Sequence, residues 1–272
     1  MPQPLFTFRA WVPAVAGAVL AAACAAKAPA RPAGAAAPDP TAPAAFARAT
    51  AACTGYRSFE GELSLSGRAG TERVRGRIVA GLESGGAVRL EAVAPFGAPF
   101  FILAGRSERA TLVLPREHRV LQDAAVVDVL QRLTGLALGA DDLRRIVAGC
   151  LADAASATQG EQWPGGWRRV KVGDDRSVYV REDGGQPVVV AADYGAWRVD
   201  YAAHAGGFPR VVRIRSARDG AEGIDITARI EQLQVNTAID ARAWVVEVPS
   251  DADPMTLDEL RSIAPLADRT TP

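Results

Sequence analysis

From Phe59 onward the chain alternates apolar and polar residues with a period of two, and this pattern returns in segment after segment almost to its end. Phe59, Gly61, Leu63 and Leu65 fall on one side and Glu60, Glu62, Ser64 and Ser66 on the other. Val74, Gly76, Ile78, Ala80 and Leu82 oppose Arg73, Arg75 and Arg77, and Val88, Leu90 and Ala92 oppose Arg89 and Glu91. Such segments bury one face and wet the other, which predicts an antiparallel meander with a charge-paired outer face. Gly85-Gly86 supplies a tight turn. Further strands are expected at Phe100 to Ala104, Ala110 to Leu114 and Arg119 to Gln122. They resume near Trp167 and continue through Val178/Val180, Val188/Val190, Trp197/Val199/Tyr201, Val212/Ile214 and Ile224 to Ile230. Trp244/Val246/Val248 reads as a last strand ending at Pro249.

Between the two runs of strands the period lengthens to nearly four. Asp123 is placed to cap a helix carrying Val126, Val127, Leu130 and Leu133 and closed by Gly135. A second helix starts near Asp141 and Asp142, acids suited to its N-terminus, and aligns Leu143, Ile146, Val147 and Cys150. An earlier one, about Ala44 to Thr54, puts Phe46 and Cys53 on one face. No repeat at fixed period is present, so propellers and solenoids are excluded. The pattern predicts a mainly β (α+β) fold: a single strongly curved antiparallel sheet, or incomplete barrel, with helices plugging its concave side. The cavity lining would be Leu63, Leu65, Val74, Ile78, Leu90, Ile102, Leu112, Val212, Ile214, Ile226 and Ile230. Such a lining suits a greasy ligand, unless the helices fill the space and it is simply core.

The N-terminal region has a different character. Ala10 to Ala23 is too short for the roughly 20 residues that span a bilayer, but fits the apolar part of a secretion signal over residues 1–23. Cys24 follows small residues, with Ala21 where a lipoprotein signal usually has Leu and Leu20 one place further out, so lipidation of Cys24 is expected. Ordinary secretion, with Cys24 a bystander, is the alternative. Residues 24–43 are nearly all Ala and Pro and predict a flexible linker reaching up to about 55 Å from a membrane, ahead of a domain over 44–265 and a disordered tail over 266–272. With Cys24 assigned to lipid, Cys53 and Cys150 remain. In an oxidising envelope compartment Cys53 and Cys150 are expected to pair with each other, with two buried free thiols acting as small hydrophobes the alternative.

Charge narrows the function classes. Lys and Arg total 31 against 31 Asp and Glu, and the basic residues are scattered through the strands. No net field invites nucleic acid or an anionic membrane surface. The histidines, His118 and His204, have no ligand partners at metal spacing, and no nucleophile elbow, phosphate loop or Cys-x-x-Cys occurs. The pairs Asp141-Asp142 and Asp174-Asp175 cap or solvate more often than they catalyse. A non-enzymatic, cofactor-free, monomeric binding protein without metal is the expectation.

Ala94-Pro95-Phe96-Gly97-Ala98-Pro99-Phe100-Phe101 marks a tight turn that leaves Phe96 little protein to pack against. This Pro-Phe-Gly turn, the following hairpin, Leu133-Thr134-Gly135, Leu143 to Gly149 and Trp197-Arg198-Val199-Asp200-Tyr201 occur in the order found in the LolB family of outer-membrane lipoprotein receptors, which this chain resembles over roughly Ala44 to Ile230. The resemblance implies an incomplete barrel that shelters acyl chains, receives lipoproteins from a LolA-like periplasmic carrier and inserts them into the outer membrane. It implies a lipid-anchored location on the periplasmic face and carries the protruding, membrane-facing role to Phe96. Two features depart from the family: the long Ala/Pro linker and the C-terminal extension through Trp244 to Pro249 and Thr256 to Leu260. A LolB-like lipoprotein that is a non-transferring scaffold, sensor or lipid-binding accessory of an envelope complex is the alternative.

Overall fold

The computed structural model describes residues 30–174, 176–217, 223–263 and 265–266. Cys24 and the segment read as a signal lie outside the described residues.

The alternating segments form one sheet. After a short β1 (Ala37–Pro38) come β2 (Ser58–Ala69), β3 (Glu72–Glu83), β4 (Ala87–Val93), β5 (Phe101–Arg106), β6 (Arg109–Leu114) and β7 (Arg119–Ala125). The second run is β8 (Ala157–Trp163), β9 (Trp167–Val172), β10 (Arg176–Asp183), β11 (Gln186–Tyr194), β12 (Trp197–Ala202), β13 (Val211–Ser216) and β14 (Ile224–Val235), with β15 (Asp253–Pro254) last. Their order is β1-β8-β9-β10-β11-β12-β13-β14-β2-β3-β4-β5-β6-β7-β15, so β14 joins the two runs by pairing with β2. Every pair is antiparallel except β15 with β7. β1 and β15 end the sheet without meeting, which leaves the barrel incomplete.

Four helices accompany the sheet: α1 (Ala42–Ala49), α2 (Val126–Thr134), α3 (Ala140–Ala148) and α4 (Leu257–Ile263). α1 packs against β8 to β11, α3 against β2 to β4, and α4 lies on α2. One continuous apolar core joins the inward residues of both runs to these helices. This is the architecture that the period-two pattern and the family resemblance both imply.

Six details differ from the sequence reading. Asp123 does not cap α2: it lies within β7 in a left-handed conformation, φ 48°, and accepts from Arg109 Nε at 2.6 Å. The helix starts at Val126, whose N–H donates to the carbonyl of Glu108 at 2.9 Å. Cys53 ends a 3₁₀ turn and Cys150 follows α3, so neither sits within an α-helix.

Trp244, Val246 and Val248 form no strand. A 3₁₀ turn, Ala241–Trp244, capped by the Asp240 carboxylate, lays the indole over Gly81 on the outer face of the sheet. Alternation cannot separate a strand from an extended segment resting on one. β8 escaped notice for the complementary reason, because its residues are all partly or fully exposed and give no apolar alternation.

The expected linker is also docked from residue 31. Arg31 binds Asp193, donates to Asp200 at 3.2 Å and lies 5.2 Å from the Tyr179 ring. Trp163 Nε1 donates to the carbonyl of Gly34 at 3.1 Å, and Ala37–Pro38 pairs with β8. Asp39 then accepts from Thr41 and Arg168 and turns the chain into α1. Composition hid this because two charged residues, not an apolar pattern, do the fastening. At the other end the body extends through Leu266, which is buried.

Candidate functional site

The concave face of the sheet and the helices it holds enclose an apolar cavity of about 80 Å³. Leu63, Leu65, Ile78, Leu90, Val212, Ile214 and Ile226 line it from the sheet, joined by Phe101 and Ala228. Leu130, Leu133, Leu136 and Leu138 close it from α2 and the segment after it, and Leu143 and Val147 from α3. Leu130, Leu133, Leu143 and Val147 were read from the sequence as helix faces only, and Leu136 and Leu138 were not read at all. Leu112 and Ile230 are buried in the same core without bordering the cavity, and Val74 borders a neighbouring space. Ile102 is misplaced in the sequence reading. It lies opposite Glu91 in the β4–β5 register while Phe101 and Leu103 point inward, and the unbroken apolar run from Phe100 to Leu103 leaves the face unmarked by alternation.

The neighbouring space is a vestibule of about 720 Å³ at one end of the sheet, open to solvent. Ala69, Val74, Trp197, Ser216 and Ile224 form its sheet side, and Arg132, Thr134, Gly135 and Arg261 its helix side. Leu133 and Thr134 border both spaces, so the C-terminal turn of α2 is the partition between a wet entrance and a dry interior. Gly135 holds that turn against the sheet: with φ 78° it is left-handed, and a Cβ there would stand 2.4 Å from Ile224. Only glycine meets both requirements without displacing a neighbour.

The helices are fixed mainly at the far end. Glu108, in the β5–β6 turn, accepts with its carboxylate from the N–H groups of Ala140 at 2.7 Å and Asp141 at 3.0 Å, capping α3 with negative charge. The same residue's carbonyl receives Val126, so one turn positions both helices. α3 is pinned along its length. Buried Arg144 donates to the carbonyl of Tyr56 at 3.3 Å, and Tyr56 and Tyr201 donate to the carbonyls of Arg144 and Ile146 at 3.1 and 3.0 Å. Burial pushes both phenols up, which keeps them neutral donors. Tyr194, pushed up to about 12 by burial and then by its bond to Asp142, is a fourth anchor. Beyond α3, Cys53 and Cys150 are disulfide-bonded, with Cα atoms 5.5 Å apart across 97 residues of sequence.

α2 has looser ties at its mouth end. Arg132 pairs with Asp258 of α4 at 3.1 Å, and α4 is itself held by Arg119 to Glu259 at 2.8 Å. Thr256 and Glu259 cap α4 reciprocally.

The end of the sheet that carries the vestibule also carries the 94–100 turn. Ala69 opposite Glu72 closes the β2–β3 hairpin there, Leu114 opposite Arg119 closes β6–β7, and β4 ends opposite Arg77. Phe96 projects from that turn and is 90% exposed. Its backbone is braced: Gly97 is left-handed at φ 77°, and Arg116 donates to the carbonyls of Phe96 and Ala98 at 3.0 and 2.9 Å. Arg116 also covers the Phe100 ring at 4.3 Å. Among the described residues, no group of His, Cys, Asp and Glu is placed to hold a metal.

No protein-family model matches the sequence, and comparison with curated proteins finds no match. Solved structures give partial likenesses. A domain described as outer-membrane lipoprotein-sorting, from Vibrio parahaemolyticus, is 10% identical with a TM-score of 0.44, covering 74% of this chain and 95% of that one. A DUF1329 family protein from Desulfovibrio piger is 13% identical with a TM-score of 0.47, over 74% and 96%. Lipoprotein LppX from Mycobacterium tuberculosis is 12% identical with a TM-score of 0.33, over 74% and 98%. Overlaps of this size carry neither ligand nor role to this chain, and the chemistry of the site stands on its own residues.

Proposed function

We propose that this protein is a LolB-like, lipid-anchored outer-membrane protein that takes acyl chains into its half-barrel and delivers lipoproteins to the membrane. The observation that carries the reading is the alignment, at one end of one sheet, of a vestibule, a dry apolar interior behind it and a braced, exposed Phe96. An acyl chain gains about 0.8 kcal/mol for each CH₂ it withdraws from water. The leucine-lined interior provides that burial, and the vestibule leaves room for the polar part of a lipoprotein.

The interior at about 80 Å³ is far smaller than the roughly 300–1,000 Å³ of occupied ligand sites. Cargo therefore enters as the mouth end of α2 moves off the sheet and merges the two spaces, while pinned α3 stays. A LolA-like carrier would present the cargo at the vestibule, and Cys24, if acylated, would hold the receiver at the membrane that accepts it.

Phe96→Glu is the test. It should leave folding intact and stop insertion of an acylated lipoprotein into outer-membrane vesicles, because a carboxylate resists entry into a bilayer. Normal insertion by this variant contradicts the assignment. The nearly filled interior favours a second reading, a scaffold or sensor that transfers nothing. In that case depletion leaves cargo lipoproteins correctly located and dissolves a partner complex.

A further inference from the structure

The alternation that turns apolar residues inward also ranks the outward residues in rows. One row crosses six strands at the end of the sheet that carries Phe96. In order it reads Arg73 on β3, Arg68 on β2, Asp225 on β14, Arg215 on β13, Arg198 on β12 and Asp193 on β11. Arg75 stands outward in the next row, opposite Ser66. The basic residues read as scattered in the sequence are thus gathered by strand register, which neither net charge nor spacing reveals.

The described acids of these rows, Asp225, Asp193 and Asp200, are already engaged. Asp225 accepts from Arg213 Nε and Nη2 at 2.6 and 2.5 Å, Asp193 binds Arg31, and Asp200 accepts from Arg215 at 2.5 Å. Arg68, Arg73, Arg75 and Arg198 are exposed and pair with no carboxylate among the described residues. Two of the pairings in the row set like charges face to face, Arg68 against Arg73 and Arg198 against Arg215. Directly opposed like charges destabilise a strand pair. Arg68 and Arg198 each face a carboxylate on their other side, Asp225 and Asp193, but Arg213 and Arg31 already hold those acids, which leaves both cations to an anionic partner.

We propose that this row is a docking surface for the phosphate headgroups of anionic phospholipids in a bilayer. Guanidinium groups match phosphate oxygens in planar, two-point hydrogen bonds, and an aromatic side chain settles where headgroups meet acyl chains. The arginine row and Phe96 share one end of the sheet, so both can meet one membrane, with the vestibule mouth between protein and lipid. The proposal rests on the membrane-facing reading of Phe96 for its orientation. Headgroup binding itself needs no cargo and no transfer.

The experiment uses the full chain with Cys24→Ala, so that no acyl anchor masks weaker binding, and measures sedimentation with vesicles of phosphatidylcholine alone or mixed with phosphatidylglycerol. Binding should be stronger to the mixed vesicles and weaken as salt rises. Arg68→Gln/Arg73→Gln/Arg198→Gln should lower binding to the mixed vesicles by about tenfold or more, since each basic residue near an anionic surface contributes roughly a factor of five. The same variant should bind neutral vesicles like the parent and melt no lower, because it relieves the Arg68–Arg73 opposition. Equal binding to both vesicle types, or a triple variant that binds mixed vesicles as the parent does, overturns the proposal. A lowered melting temperature also overturns it, by showing that the arginines serve the fold. The transfer reading fails separately, when a cargo-insertion assay shows no activity from a chain that still sorts vesicles by charge.

Discussion

Arg116 donates from Nη2 to the carbonyl of Phe96 at 3.0 Å, so a cation in one rim turn braces the backbone beneath an aromatic ring exposed in the next. Arg116→Gln removes this bond, the one to Ala98 and the cover over Phe100. The pair is exposed, so we expect a stability cost of only about 1 kcal/mol or less. Amide exchange at residues 96–98 should rise and lipoprotein insertion should fall. Unchanged exchange in that turn counts against a bracing role.

The disulfide is expected to matter more to folding than to the site. It closes a loop spanning 97 residues, which in the chain-entropy model stabilises by about 4–5 kcal/mol. Cys53→Ser/Cys150→Ser should lower the denaturation midpoint by a corresponding amount, with retained acyl-probe binding under native conditions. A midpoint equal to that of the oxidised parent contradicts this.

Glu259 makes the mouth sensitive to acid. The Arg119 hydrogen bond, followed by those from Thr256, lowers its carboxyl to about 2 from an ordinary 4.5. A folded-state pKa below the unfolded one means that its contribution is complete above the ordinary value and is lost as pH falls from there toward 2. Amide exchange in α4 should accelerate across that window, and Glu259→Gln should show the faster exchange already at neutral pH. A pH-independent α4 would show that its capping carboxylate is dispensable.

Gly135→Ala addresses the partition. The added Cβ would meet Ile224 at 2.4 Å in a left-handed backbone, so α2 should be displaced at its mouth end. We expect a loss of roughly 1–3 kcal/mol together with faster uptake of an acyl probe. Slower uptake at the same stability loss would place the entrance elsewhere.

What the sequence discloses follows from the kind of physics involved. Period two exposed the inward face of nearly every long strand, since burial of Leu63, Ile78 or Ile214 leaves a direct imprint. The Phe96 turn was legible because Pro and Gly fix backbone angles locally. Three things left no such imprint. The fit of α2 into the interior depends on how Leu130 and Leu133 interlock with a sheet folded from both ends of the chain. The fastening of residues 31–39 depends on single polar contacts such as Arg31 with Asp200. The arginine row exists only once β14 pairs with β2, because register decides which distant outward residues become neighbours.

The central claim is that acyl chains enter the interior behind Leu133. The most direct measurement is cross-linking with a fatty-acyl probe carrying a photoreactive group at its terminal carbon, followed by peptide mapping. The account predicts attachment to inward residues of β2, β3, β13 and β14 and to α2 and α3, such as Leu65, Ile214 and Leu130. Attachment confined to the Phe96 turn or to the outer face of the sheet would contradict it.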